Sequence, residues 1–291
     1  MKKVNLLFSL LVLTFYSCNG NEVAPNDNES YNKRHYSSVN YGKIHNDFMS
    51  FIKDDLVIDR SITTKTEAYK HVSFFLKEKA MLHQDVDQEE KSLLCDYFDK
   101  NMFLLEIGNV QAIIRNEVTI ENTIRGEHTT LSILLEDLKN LEIISVQEFE
   151  KIISLQDVLS KVYNVEMGIT ELSSYLNQEE NANNGNVVFN SIIDIGIASN
   201  QWWNENTPSI FLPFPINEEI YPSDGQYQTY AIPVATDVAG ALIMGATSVA
   251  VQYGVTGEVN WKVVGVSAIA GAVLGSTGAV GKLGNWISNL F

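Results

Sequence analysis

The sequence predicts a mainly α protein made of a helical bundle, an irregular connector and a C-terminal Gly/Ala-rich helical hairpin. Three observations lead there. Apart from Pro25, every proline lies between Pro208 and Pro233, so the long stretch before them holds no ring clash or missing N–H that would break a helix. Within that stretch apolar residues recur at the three-and-four spacing of a single helix face. Residues 233–291 then hold ten of the 18 glycines and two uncharged spans, Val238 to Gly257 and Val263 to Gly281, of 20 and 19 residues.

The chain opens with Lys2 and Lys3, an almost wholly apolar run from Val4 to Tyr16, and Ser17-Cys18. That order is the order of an export signal. The run is shorter than the roughly 20 residues that a permanent transmembrane helix needs, so residues 1–17 read as a cleaved leader. Ser17 supplies the small residue that lipoprotein processing requires before a cysteine, and Cys18 is the expected lipidation site. The segment Leu13-Thr14-Phe15-Tyr16-Ser17-Cys18 resembles the looser lipobox of Bacteroidota lipoproteins. From Asn19 to Ser30 the chain is too polar to fold alone, and residues 18–40 read as a lipidated cysteine on a flexible tether. Lipidation implies a cell-envelope protein, anchored in a membrane and expected at the outer one. Only Glu22 follows Cys18 closely, so the sequence leaves the surface and periplasmic faces both open.

Composition narrows the partners. The net charge is −16, and between residue 19 and residue 232 the chain holds 16 basic and 34 acidic residues. Such a body is repelled by nucleic acid and by anionic headgroups, which excludes a nucleic-acid role. With Cys18 lipidated, Cys95 is the one remaining cysteine, so no internal disulfide forms and packing must supply the stability. In its setting of Leu93, Leu94, Tyr97 and Phe98, Cys95 reads as a buried structural thiol.

Residues 41–180 read as an acidic bundle of about five helices. Ile44, Phe48, Phe51, Ile52 and Leu56 share one face; Tyr69, Val72, Leu76 and Ala80 follow a capping box at Thr64-Lys-Thr-Glu67. Further faces run through Leu94, Phe98, Met102 and Leu105, and through Leu131, Leu134, Leu135, Leu138 and Leu141. A second box, Ser145-Val-Gln-Glu148, opens the longest pattern, from Leu155 through Val158, Leu159, Val162, Ile169 and Leu172 to Leu176. The turn-forming run Asn181-Ala-Asn-Asn-Gly-Asn186 ends the bundle. Residues 181–232 then read as a connector, with a short helix around Ile192 to Trp203 and a Pro-rich segment after it.

In residues 233–291 small residues repeat every fourth position: Ser267, Gly271, Gly275 and Ala279 in the second span, Ala241 and Gly245 in the first. On helices these form narrow stripes along which two backbones can approach closely, turning near Gly254-Val-Thr-Gly257. Asp237-Val-Ala-Gly240-Ala241, with the Gly/Ala-rich stretch behind it, resembles the C-terminal glycine-zipper-like signature of a loose group of Bacteroidota exported lipoproteins. The resemblance covers about 60 residues and implies no biochemical activity.

Motifs for catalysis are lacking. No two of His35, His45, His71, His83 and His128 lie three or four residues apart, and no His-Glu-x-x-His occurs, so zinc spacing is absent; each reads as a surface or helix-face residue. Glu67 and His71 read as an intrahelical pair, and Glu89-Glu90 and Glu179-Glu180 as solvated charges. There is no Gly-x-Ser-x-Gly elbow and no phosphate loop. The sequence therefore leads us to expect no catalytic residue, metal or cofactor. Two functions stay open. In one, the protein is a lipid-anchored, non-catalytic binding or scaffold module, with Trp202 and Trp203 as a candidate recognition surface. In the other, the hairpin inserts into a membrane as some bacteriocins and toxins do, with Asp237, Glu258, Lys262 and Lys282 at the span ends and Trp261 and Trp286 at headgroup level.

Overall fold

The computed structural model describes residues 40–164, 166–181, 187–210 and 231–280, and Trp286. Residues 1–39, which hold the expected leader, Cys18 and all of the expected tether but Asn40, lie outside the described residues, as do residues 211–230 of the expected connector and Lys282. The described residues fall in one unit, Tyr36–Phe291, and are overwhelmingly helical, as expected.

Seven helices occupy the stretch where five were expected: α1 (Tyr41–Asp55), α2 (Lys65–Leu82), α3 (Gln88–Lys100), α4 (Ile107–Ile114), α5 (Leu131–Asn140), α6 (Val146–Tyr163) and α7 (Ile169–Asn181). Their starts follow local chemistry. Asn40 caps α1 by accepting the Lys43 amide at 2.8 Å. Thr64 caps α2 by accepting the Glu67 amide, but the Glu67 carboxylate takes the Thr64 hydroxyl hydrogen instead of reaching the Thr64 amide, so only half of the expected box forms. The Ser145–Glu148 box at α6 is complete, and so is one at α3, between Asp87 and Glu90, that sequence reasoning missed.

Two further differences arise where local signals were weak. The pattern read as one run from Leu155 to Leu176 is two helices: the chain leaves α6 at Asn164, and Gly168 precedes α7. Between α4 and α5 lies an antiparallel pair, β1 (Ile120–Asn122) and β2 (Glu127–Thr129), with Ile120 opposite Thr129 and Asn122 opposite Glu127. Gly126 turns it at φ +69°. Asn122 Nδ2 donates to Asp137 Oδ2 at 2.8 Å, and Arg125 grips the same carboxylate through two 2.6 Å bonds. Three residues a side are too few to stand alone; these bonds hold the pair on α5.

The expected short helix in the connector is a long one, α8 (Val187–Ile210). It packs against α1, α7 and the hairpin, burying Phe189, Ile192, Ile193 and Ile195. The hairpin itself is α9 (Ala231–Thr256) and α10 (Trp261–Ala279), turned by Gly257 at φ +75° and restarted by Asn260, whose side chain caps Lys262. This hairpin is the core of the molecule. Helix α9 packs against β1 and α4 to α8, and α10 packs against α1, α3, α4, α8 and the 3-10 turn Met102–Leu105. Each interior glycine costs a helix roughly 1 kcal/mol relative to alanine, whereas each fully buried Leu or Ile contributes about 1.5–3 kcal/mol. Buried Leu242, Ile243, Ile269 and Leu274 thus offset the glycines beside them.

Candidate functional site

The expected small-residue stripes meet in the hairpin, with one correction. Ser267, Gly271, Gly275 and Ala279 are all buried. A side chain at Gly271 would strike the Gly240 carbonyl, one at Gly240 would strike the Gly271 carbonyl, and one at Gly275 would lie 2.6 Å from the Thr236 carbonyl. Ser267 Oγ lies 3.2 Å from the Met244 carbonyl across the hairpin and 2.8 Å from the Val264 carbonyl of its own helix, which share its one hydrogen. The facing positions on α9 are therefore Thr236, Gly240 and Met244, four residues apart, and not Ala241 and Gly245, which are buried to one side. The physical reason is that the closest crossing falls where neither residue carries a Cβ, at Gly240 and Gly271, and Ala241 carries a methyl group where Gly240 carries none.

Asp237 was expected at a span end; instead it is fully buried at the junction of four helices. Its Oδ2 accepts Ser199 Oγ at 2.5 Å and Trp203 Nε1 at 2.9 Å, both from α8. Its Oδ1 accepts the hydroxyl of Ser276 on α10. From α1, His45 Nε2 lies 3.0 Å from Ser276 Oγ and 3.4 Å from Asp237 Oδ2, while Nδ1 lies 3.0 Å from Asn46 Oδ1. A buried carboxylate needs such partners, since desolvation is costly otherwise. Tyr163 from α6 approaches the same place: its hydroxyl sits beside Thr236 without a hydrogen bond, and burial holds the phenol well above its ordinary range.

Ser276, His45 and Asp237 have the residue types of a catalytic triad but not its arrangement. In a relay the base uses one ring nitrogen for the nucleophile and the other for the carboxylate. Here Nε2 faces both, and Ser276, His45 and Asp237 are all completely buried. The cluster is a tie between α1, α8, α9 and α10. Of the two expectations for His45, a surface or a helix-face residue, the second holds: it lies on the buried face of α1, and a lone histidine on an apolar face gives no sign of a partner 231 residues away.

The tryptophan pair is likewise interior. Trp202 is 5 % exposed and Trp203 0 %; Trp202 Nε1 donates to Ser50 Oγ at 3.1 Å, and the two rings meet edge to face. They anchor α8 to α1 and α9, which removes them as a recognition surface. Trp261 is half-buried against the body, and Trp286 makes an edge contact with His71. Lys262 pairs with Asp87 at 2.6 Å and with Glu89 at 3.4 Å on α3. Glu67 and His71 do not pair: His71 Nε2 lies 2.8 Å from the Val57 carbonyl. Cys95 is partly buried, and burial pushes its thiol up, which suits a structural role.

A second cluster lies at the rim, where α1 meets the turn after α2. The Lys43 ammonium sits between the carboxylates of Asp47, at 3.1 Å, and Asp85, and both hold it in the charged form. His83 is 4 % exposed, its ring stacked on Phe48 with centroids 5.7 Å apart. Nδ1 accepts the Asp85 amide at 3.2 Å; Nε2 points to Asp47 Oδ2 at 3.3 Å without the alignment of a hydrogen bond. Burial outweighs the two carboxylates and holds the pKa of this ring below its ordinary value, which favours the neutral form. Spacing could not reveal the cluster, because Asp47 and His83 come from different elements.

Fold and sites together define a class: a mainly α body built around a Gly/Ala-rich hairpin and fastened by a buried aspartate. No family model, curated protein or solved structure matches the chain.

Proposed function

We propose that the protein is a lipid-anchored cell-envelope protein whose body acts as a non-catalytic binding or scaffold module. One observation carries this reading. Among the described residues two helices, α9 and α10, are long and apolar enough to cross a bilayer, and in each 89 % of the most apolar 18-residue window is buried, while Asp237 ties them to α1 and α8. A hairpin that serves as the core leaves lipidated Cys18 as the attachment to the membrane. The non-catalytic part rests on the Ser276–His45–Asp237 tie, which is closed to solvent and not ordered as a relay. The acidic body favours a partner bearing positive charge and disfavours nucleic acid.

A second reading, membrane insertion of the hairpin, draws on one specific feature. Ser276 on α10 bonds Asp237 Oδ1 from within the hairpin, so α9 and α10 would leave the body with one carboxylate oxygen still paired and only Oδ2 stripped of Ser199 and Trp203. Carbonate extraction of cells producing the native chain or Cys18→Ala separates the two. Release of the variant into the soluble fraction is the expected result. A variant that stays carbonate-resistant would reject the soluble body and leave the hairpin as the anchor.

A further inference from the structure

We propose that Asp47, His83 and Asp85 form a binding site for a divalent transition-metal ion, with Zn²⁺ as the simplest occupant and Lys43 as the cation it displaces. The donor atoms of the three side chains all lie within 4.8 Å of one another. Ligands at ~2.0–2.2 Å around a tetrahedral Zn²⁺ stand roughly 3.3–3.5 Å apart, so closure asks for shifts on the order of 1 Å. Asp85 can supply them, being exposed on the turn after α2.

Two observations beyond the carboxylates point to an ion. His83 Nε2 is a buried nitrogen aimed into the cluster with no hydrogen-bond partner, held in that direction by Phe48 and Phe51. Lys43, half-exposed on a flexible stem, already places a positive charge between both carboxylates. One imidazole with two carboxylates, completed by water, suits zinc and its neighbours; calcium and magnesium prefer oxygen alone. Exchange of one ammonium for a divalent ion takes the cluster from a net charge of −1 to neutral.

Binding has a distinctive proton signature. With Nδ1 accepting the Asp85 amide, the ring proton sits on Nε2. Ligation through Nε2 moves that proton to Nδ1 and breaks the amide contact, while Lys43 swings into solvent still protonated. No net proton is released from the site.

The test is titration of the detergent-purified full chain with ZnCl₂ by calorimetry, and with Co²⁺ by visible absorption, together with ¹⁵N spectra of the imidazole. Saturable one-to-one binding is expected, with His83 changing tautomer and the Asp85 amide shifting. Asp85→Asn should weaken binding by at least about ten-fold, and Lys43→Gln should tighten it, both with unchanged circular dichroism. Absence of saturable binding below about 1 mM would overturn the proposal, as would binding that is indifferent to Asp85→Asn or leaves the His83 tautomer in place.

Discussion

A single hydrogen decides the packing at Gly240 and Gly271, and that makes glycine substitutions informative. At Gly240 a methyl group would strike the Gly271 carbonyl, so Gly240→Ala must push α9 and α10 apart; overpacking of this kind costs about 1–3 kcal/mol. A methyl group at Gly108, which is exposed in α4, would meet nothing within 4 Å, and Gly108→Ala should stabilise by about 0.4–1 kcal/mol through the unfolded chain. Urea unfolding of the two variants should therefore give midpoints on opposite sides of the parent's. Equal shifts in one direction would show that backbone contact is not what the hairpin glycines serve. This residue-scale detail was half legible. The fourfold spacing of Ser267, Gly271, Gly275 and Ala279 marked the contact face of α10, but its mate on α9 is set by which residue lacks a Cβ at the crossing. Asp237 was visible only as a charge beside an uncharged span. That it pairs with His45, Ser199, Trp203 and Ser276 depends on three other helices, and no local pattern encodes that.

Caps and periodicity define the elements, and here the sequence spoke most clearly. The Ser145–Glu148 box has both hydrogen bonds, so Ser145→Ala should cost about 1 kcal/mol, measured as a lower thermal midpoint; no change would mean that α6 is held by packing alone. Helices α1, α2, α3, α5 and α6 all lie where the caps and apolar spacing put them, although the runs read through Leu105 and through Leu176 each break into two elements. Elements that were missed are short. Helix α4 has eight residues, and β1 and β2 have three each, too few for a period to show. Helix α8 was curtailed because its buried residues run on several sides, as befits a helix packed against α1, α7 and α9. The site cluster of Asp47, His83 and Asp85 was hidden for a related reason: it spans the end of one element and the middle of another.

Across the whole molecule, four tyrosines make stability sensitive to alkali. Burial is the first cause that keeps the phenols of Tyr69, Tyr97, Tyr163 and Tyr175 protonated beyond their ordinary range. Above about pH 10 the unfolded chain gives up these protons while the folded one retains them, so stability is full below that pH and falls as pH rises through it. Tyrosinate absorbance at these sites should therefore appear together with loss of helical circular dichroism. Ionisation of all the tyrosines well before the helices melt would contradict their burial.

The central position of the hairpin also sets an order of events. Helix α1 finds its partner Ser276 only 231 residues later, and α3 to α8 all pack against a core supplied by α9 and α10. Those earlier segments have no finished interior to collapse onto while the chain is being made. Contacts of such long sequence separation slow folding and expose apolar faces in the interim. The body closes from its C-terminal end, so a chain interrupted before α10 is left as a set of amphipathic helices in want of a centre.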